Sequence, residues 1–150
     1  MKKFVRQKAN NQAPDVELDF GAASAKVARV FEPDEYKVRI ESARVIGKNG
    51  NILIALDLIE TQSGGRVDTR PIWVDGPNAN AGNLVDENQH LIAQLLTLAN
   101  LPTVGNVSTL IPKLAGLEFD ARLVLAVDSR SGRTSNAIAD VYAADTAEVS

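Results

Sequence analysis

Hydrophobic and polar positions between residues 31 and 75 read as three consecutive strands joined by tight turns, and the rest of the chain is arranged around that stretch. In residues 35–45, Tyr36, Val38 and Ile40 alternate with Glu35, Lys37, Arg39 and Glu41, giving one apolar and one charged face. After Ile40 the phase changes, and Ala43 and Val45 become the apolar positions. A strand that swaps faces midway has to bend or carry a bulge. Residues 47–50, Gly-Lys-Asn-Gly, are a turn signal. Residues 51–60 are nearly all apolar, as in a central strand covered on both faces. A Gln-Ser-Gly-Gly turn at 62–65 leads to a third strand, residues 66–75, which contains Trp73. A long bent strand followed by two shorter ones is how a small closed barrel begins.

On either side of this stretch the pattern is looser. Lys2, Lys3, Arg6 and Lys8 precede any acid, so residues 1–14 read as a solvated arm or as a basic arm that touches phosphate. Val16, Leu18 and Phe20 alternate with acids, as in a short extra strand. Residues 22–30 are Ala-rich and suit either helical turns or an extended lead-in, and Pro33 blocks any helix from continuing. After the third strand, residues 76–83 form a loop. It has the glycines of a phosphate cradle but not the Lys-Ser/Thr of a P-loop. Asp86 to Gln89 is a capping-box pattern opening a helix over residues 86–100. Leu91, Ile92, Leu95, Leu96, Leu98 and Ala99 form its apolar face. Residues 108–116 read as a short helical turn stopped at Gly116. In the fourth strand, residues 117–127, Leu117, Phe119, Ala121, Leu123, Leu125 and Val127 face one way. Residues 128–133 make a hairpin loop and residues 134–142 a fifth strand.

The element order is therefore β-β-β-α-β-β. The predicted fold is mainly β with one principal helix: an OB-fold, a five-stranded Greek-key barrel with the helix plugging one end. The predicted organisation is a partly disordered arm over 1–30, the barrel over 31–143 and a flexible tail over 144–150. The 150 residues are ordinary for one domain, with 45% hydrophobic and 23% charged positions. There is no cysteine, so disulfides and thiolate metal sites are excluded and a reducing cytoplasm is suited. No apolar run approaches the ~18 residues of a membrane span, and residues 7–12 supply no apolar core for a signal peptide.

Catalysis has little support. His90, the single histidine, falls on the polar side of the predicted helix, and no nucleophile elbow is present. The expectation is no enzyme, no cofactor and no metal. Binding fits better, because OB-folds take single strands on the face of strands two and three and on the loops joining strands one to two and four to five. Those places hold Lys48, Arg66, Arg70, Arg130 and Arg133, with Lys37, Arg39 and Arg44 on the first strand. The competing reading is ordinary solubility charge, since Asp57, Asp68 and Asp75 lie nearby and the net charge is −3. Trp73 stacks bases if Ile72 and Val74 point into the core; with the opposite phase it is itself a core residue. The candidate nucleic-acid-binding residues are thus Lys37, Arg39, Lys48, Arg66, Arg70, Trp73, Arg130 and Arg133.

Residues 33–40, the Trp73 strand, the helix over 88–101 and Leu114-Ala-Gly-Leu-Glu-Phe119 together resemble a phage- and prophage-encoded OB-fold family of poorly defined function. Its members look like single-stranded-DNA-binding proteins and are often encoded near replication or recombination genes. The resemblance covers residues 31–142. It implies a sequence-tolerant single-stranded-DNA-binding protein in the cytoplasm of a bacterial host, supporting replication or recombination. It also implies phage or host replication and recombination proteins as further partners. The tail differs from the single-stranded-DNA-binding pattern, having no acidic run followed by Pro-Phe. An open barrel edge adds the expectation of a homo-oligomer. The alternative is a non-enzymatic protein-interaction or phage structural β-barrel.

Overall fold

The computed structural model describes residues 15–20, 27–77 and 85–144. Six strands form one antiparallel sheet: β1 (Asp34–Lys48), β2 (Asn51–Glu60), β3 (Arg66–Val67), β4 (Ile72–Asp75), β5 (Glu118–Val127) and β6 (Thr134–Ala143). Between β4 and β5 come helix α1 (Val85–Leu98) and a short helix α2 (Val107–Leu110), which runs into a 3-10 turn (Ile111–Leu114). The arm over residues 1–14, most of the loop after Gly76 and the tail from 145 lie outside the described residues.

Local chemistry accounts for the first hairpin. Asn49 and Gly50 both take positive φ, 53° and 79°, so a two-residue turn joins Lys48 directly to its partner Asn51. The phase change in β1 is a register shift between Ile40 and Ser42, with Glu41 as the extra residue. Val38 and Ile40 are buried before it and Ala43 after it, as the alternation predicts.

The third strand differs from expectation. It is two pieces, β3 and β4, both paired with β2. Pro71 stands in the gap and offers no N–H to a ladder. The backbone there is drawn to β6 instead: Asn136 N–H donates to Asp68 O at 2.7 Å and Arg70 N–H to Asn136 O at 3.0 Å. These bonds bring the two ends of the sheet, ordered β3-β2-β1-β5-β6, against each other. They make a single parallel bridge, Thr69 to Asn136, and no continuous ladder closes the sheet. The strand count is six, not five.

The core lies inside the curl of the sheet. Val38, Ile40, Ile54, Leu58, Phe119 and Leu123 meet Leu95, Ile111 and Leu114 there, all below 2% exposure. Helix α1 covers one end with Leu91, Ile92, Leu95 and Leu96, packing on β4 and β6. It stops where Asn100 takes φ 59°; Leu101 N–H bonds Leu96 O at 2.8 Å and Asn100 N–H bonds Thr97 O at 3.0 Å. Pro102 follows, and the helix ends within two residues of its expected limit.

The alternation in β5 also breaks. Phe119, Ala121 and Leu123 are buried, but Leu125 and Val127 are exposed and Ala126 is buried in their place. The register against β6 slips between Arg122 and Leu123, leaving Ala139 unmatched on β6, and from Leu123 to Val127 the pairing is continuous.

Asn136 fastens the whole arrangement. It is fully buried. Its Oδ1 accepts from Phe31 N–H at 2.7 Å, and its Nδ2 donates to Phe31 O at 2.9 Å and Val124 O at 3.2 Å. Arg29, two residues earlier, bridges in parallel to Val67 on the far edge of β3. No helix among the described residues is long and apolar enough to cross a membrane.

Candidate nucleic-acid interface

The outer face of the first hairpin carries an apolar row. Register places Ile46 of β1 opposite Leu53 of β2, and Leu53 opposite Trp73 of β4. Directly opposed residues share a face. Ile54 and Ile72, the next pair, point inward to the core, so Leu53 and Trp73 point outward. Leu53 is only 5% exposed because its two neighbours flank it, and Trp73 is half-buried outside the main core. The near-continuous apolar run of β2 therefore serves two faces, and on the outer one the neighbouring strands' side chains provide the cover.

Helix α1 holds this strand in place. Asn88 Nδ2 donates to Trp73 O at 2.8 Å and Gln89 Nε2 to Val74 O at 2.7 Å, satisfying carbonyls on the β4 edge. At the end of β4, Gly76 sits so close to Asn51 that an added Cβ would lie 2.5 Å from Asn51 Cα. The tip of the first hairpin and the end of β4 are thus packed backbone to backbone, and only glycine fits.

A cleft of about 480 Å³ opens beside Trp73. Leu53, Pro71, Trp73, Ala137 and Ile138 give it apolar walls. Lys48 enters from the β1–β2 turn, Arg70 from the link between β3 and β4, and Arg133 from the β5–β6 loop. That loop is shaped by Asp128, whose Oδ1 accepts from Arg130 N–H at 2.7 Å and Ser131 N–H at 3.3 Å. These backbone bonds, from Arg130 first and then Ser131, lower the Asp128 pKa below its ordinary value. Gly132 closes the loop at φ 73°. Arg133 Nη2 reaches both carboxylate oxygens of Asp68, at 2.7 and 2.6 Å, between the β5–β6 loop and the link after β3.

Of the eight residues selected from sequence, the fold gathers Lys48, Arg70, Trp73 and Arg133 at this cleft. Arg130 lies on the same loop without lining it, and Arg66 stands opposite Ile59 on β3. Lys37 and Arg39 do not reach it. They belong to a charge-paired face of β1 and β5, where Lys37 Nζ lies 3.7 Å from Asp120 Oδ1 and Arg39 Nε 3.0 Å from Glu41 Oε2. The 3.7 Å contact is an ion pair rather than a hydrogen bond, so Asp120 Oδ1 is left without a hydrogen-bond partner. Arg44 is held by Asp57 at 3.4 Å. Among the described residues, Lys48, Arg66, Arg70 and Arg130 form no ion pair.

The sequence marks Asp68 as an acid near the basic track but not its pairing with Arg133, and alternation alone does not find the Ile46–Leu53 platform. The signal for the platform was the excess of apolar residues in β2, readable only once its register was known. Among the described residues no group of His, Asp and Glu is arranged to hold a metal ion, and His90 is exposed on α1. Comparison with protein-family models and with curated proteins finds no match to this chain.

Proposed function

We propose that the chain is a non-enzymatic module that binds single-stranded DNA without sequence preference, built on an OB-type barrel of the kind found in phage and prophage proteins. The carrying observation is the cleft in which an outward tryptophan meets cations from three separate segments. Stacking on a π-face tolerates any base, and Lys or Arg at the rim neutralises phosphate, so the two together suit a strand read by backbone and stacking. The barrel reading is supported by the order of strands, by the helix after the third strand segment and by the bonds that draw Asp68 and Arg70 to Asn136. In that fold, the loops flanking the cleft are the ones expected to grip a strand. The role we propose for it, drawn from the family resemblance, is support of replication or recombination in a bacterial host cytoplasm.

Titration of a fluorescent thirty-nucleotide probe tests this reading. With Lys48 and Arg70, the cleft cations without a carboxylate partner, each displacing counterions, the log–log salt slope is about −1.4. Trp73→Ala weakens binding by ~1–3 kcal/mol and leaves that slope nearly unchanged, because stacking depends little on salt. Circular dichroism of the variant must match wild type. No binding of wild type at low salt would abandon the proposal.

A second reading, a protein-interaction or phage structural barrel, is favoured by one observation. Lys37, Arg39 and Arg133 are all held by carboxylates, and the chain is net acidic at −3. It becomes the better account if the probe does not bind.

A further inference from the structure

Arg133 lines the Trp73 cleft, yet its charge is already neutralised within the protein. Its Nη2 donates to both oxygens of Asp68, a residue that stands behind the cleft and not on its wall. The backbone of each partner is tied down. Asp68 N–H donates to Arg29 O at 2.8 Å, and Asp68 O accepts from Asn136 N–H at 2.7 Å. Arg133 O accepts from Asp128 N–H at 2.9 Å, and Arg133 N–H donates to Ser131 Oγ at 3.1 Å. Only the two side chains are left to change partners, and their surroundings decide which partner Arg133 keeps. The Arg133 side chain is 62% exposed and that of Asp68 only 20%. Water readily solvates the guanidinium when the pair parts, but it reaches the carboxylate poorly. A phosphate that took Arg133 would therefore leave Asp68 charged, part-buried and unpaired. It would also have to be immobilised, whereas the carboxylate is already in place. Asp68 is the stronger competitor for this cation.

We propose that Asp68 withholds Arg133 from a bound strand. Three cations line the cleft, but only Lys48 and Arg70 grip phosphate. Asp68 thus sets the number of phosphates held and keeps the complex weaker than its cations alone would make it. The device belongs to the single-strand reading and rests on it.

The test is a salt titration of the fluorescent thirty-nucleotide probe with four full-length proteins: wild type, Asp68→Asn, Arg133→Gln and the double variant. Asparagine keeps the shape of aspartate and removes its charge. Asp68→Asn frees a third cation, so the log–log slope steepens from about −1.4 to about −2.1. Binding tightens about fivefold at about 0.1 M salt, and the gain fades towards about 1 M. The added slope disappears in the double variant, because Arg133 is its source. Arg133→Gln alone weakens binding, since it leaves an unpaired carboxylate beside the strand, but holds the slope at about −1.4. A purely structural role for Asp68 does not steepen a salt slope, and circular dichroism checks that each variant folds. A folded Asp68→Asn whose slope is unchanged or flatter would overturn the proposal. So would a slope of about −0.7 in Arg133→Gln, which would show Arg133 gripping phosphate in wild type. If Asp68→Asn does not fold, the Arg133→Gln slope decides. Binding by wild type with slopes that do not respond sinks the withholding of Arg133 alone; no binding by any of the four at low salt sinks the single-strand reading with it.

Discussion

Two buried polar side chains carry more of the architecture than their number suggests. Asn136 satisfies both backbone groups of Phe31 and one carbonyl of β5 through its amide. Leucine fills a similar volume but leaves those groups in the interior without partners, so Asn136→Leu destabilises by about 3 kcal/mol or more. Urea denaturation measures the loss. Glu60, 5% exposed, accepts from Gln62 N–H at 2.7 Å and Ser63 N–H at 2.9 Å and so shapes the turn into β3. Burial pushes its carboxyl up, but the bonds from Ser63 and Gln62, with Arg29 nearby, outweigh burial and hold the pKa below the ordinary value. A depressed carboxylate stabilises the fold above its unfolded pKa, and the contribution disappears as pH falls through the folded one. Glu60→Gln therefore lowers stability by about 1–3 kcal/mol at neutral pH. Thermal melts of the two proteins should begin to converge as pH falls through the unfolded carboxyl's ordinary value, about 4.3, and meet only below the depressed folded pKa. Neither residue stands out in the sequence. A polar side chain within a strand reads as solvent-facing, and only the curl of the sheet turns these two inward.

Elements were legible wherever one local rule acted alone. The Asn49-Gly50 turn, the face swap at Glu41 and the apolar face of α1 each follow from chemistry within a few residues. Leu95 on that face has no exposed surface, and Leu95→Ala should cost ~2–5 kcal/mol in the same denaturation experiment. Legibility failed where two elements compete for one backbone. Residues 66–75 alternate like one strand, yet Asp68 and Arg70 bond to Asn136, sixty-odd positions on, and Pro71 completes the break. The end of β5 failed for another reason. Leu123, Val124, Leu125, Ala126 and Val127 are all apolar, so the sequence does not mark which of them stay exposed at the strand's end. The cleft was legible in part: its cations come from turns that composition identifies, while the carboxylates that neutralise neighbouring cations depend on register.

For the whole molecule, the unresolved valence is the free edge of β6. One side pairs with β5, and on the other only Asn136 is bridged among the described residues. Residues 137–143 therefore present a run of backbone donors and acceptors to a second strand. Ala139 blunts this edge with its bulge, and Tyr142 adds exposed apolar surface next to it. A twofold dimer pairing β6 with β6 is the expected assembly. Light scattering at high micromolar concentration should give twice the 16.1 kDa of one chain, and a clean single-chain mass would reject the dimer.

The clamp at Asn136 also bears on the order of folding. It joins residues 105 positions apart, and drawing such distant points together costs chain entropy before any contact compensates. The β1–β2 hairpin, with its two-residue turn, carries almost no such cost. The hairpin bearing Ile46 and Leu53 thus belongs to the early part of the reaction, and the seam between Phe31, Asp68 and Asn136 to its end. The cleft is bounded by both, since Leu53 comes from the first and Arg70 and Arg133 flank the second. A chain stalled short of the final step would hold a formed hairpin and no binding groove, and loosening the seam would hasten unfolding far more than it slows folding.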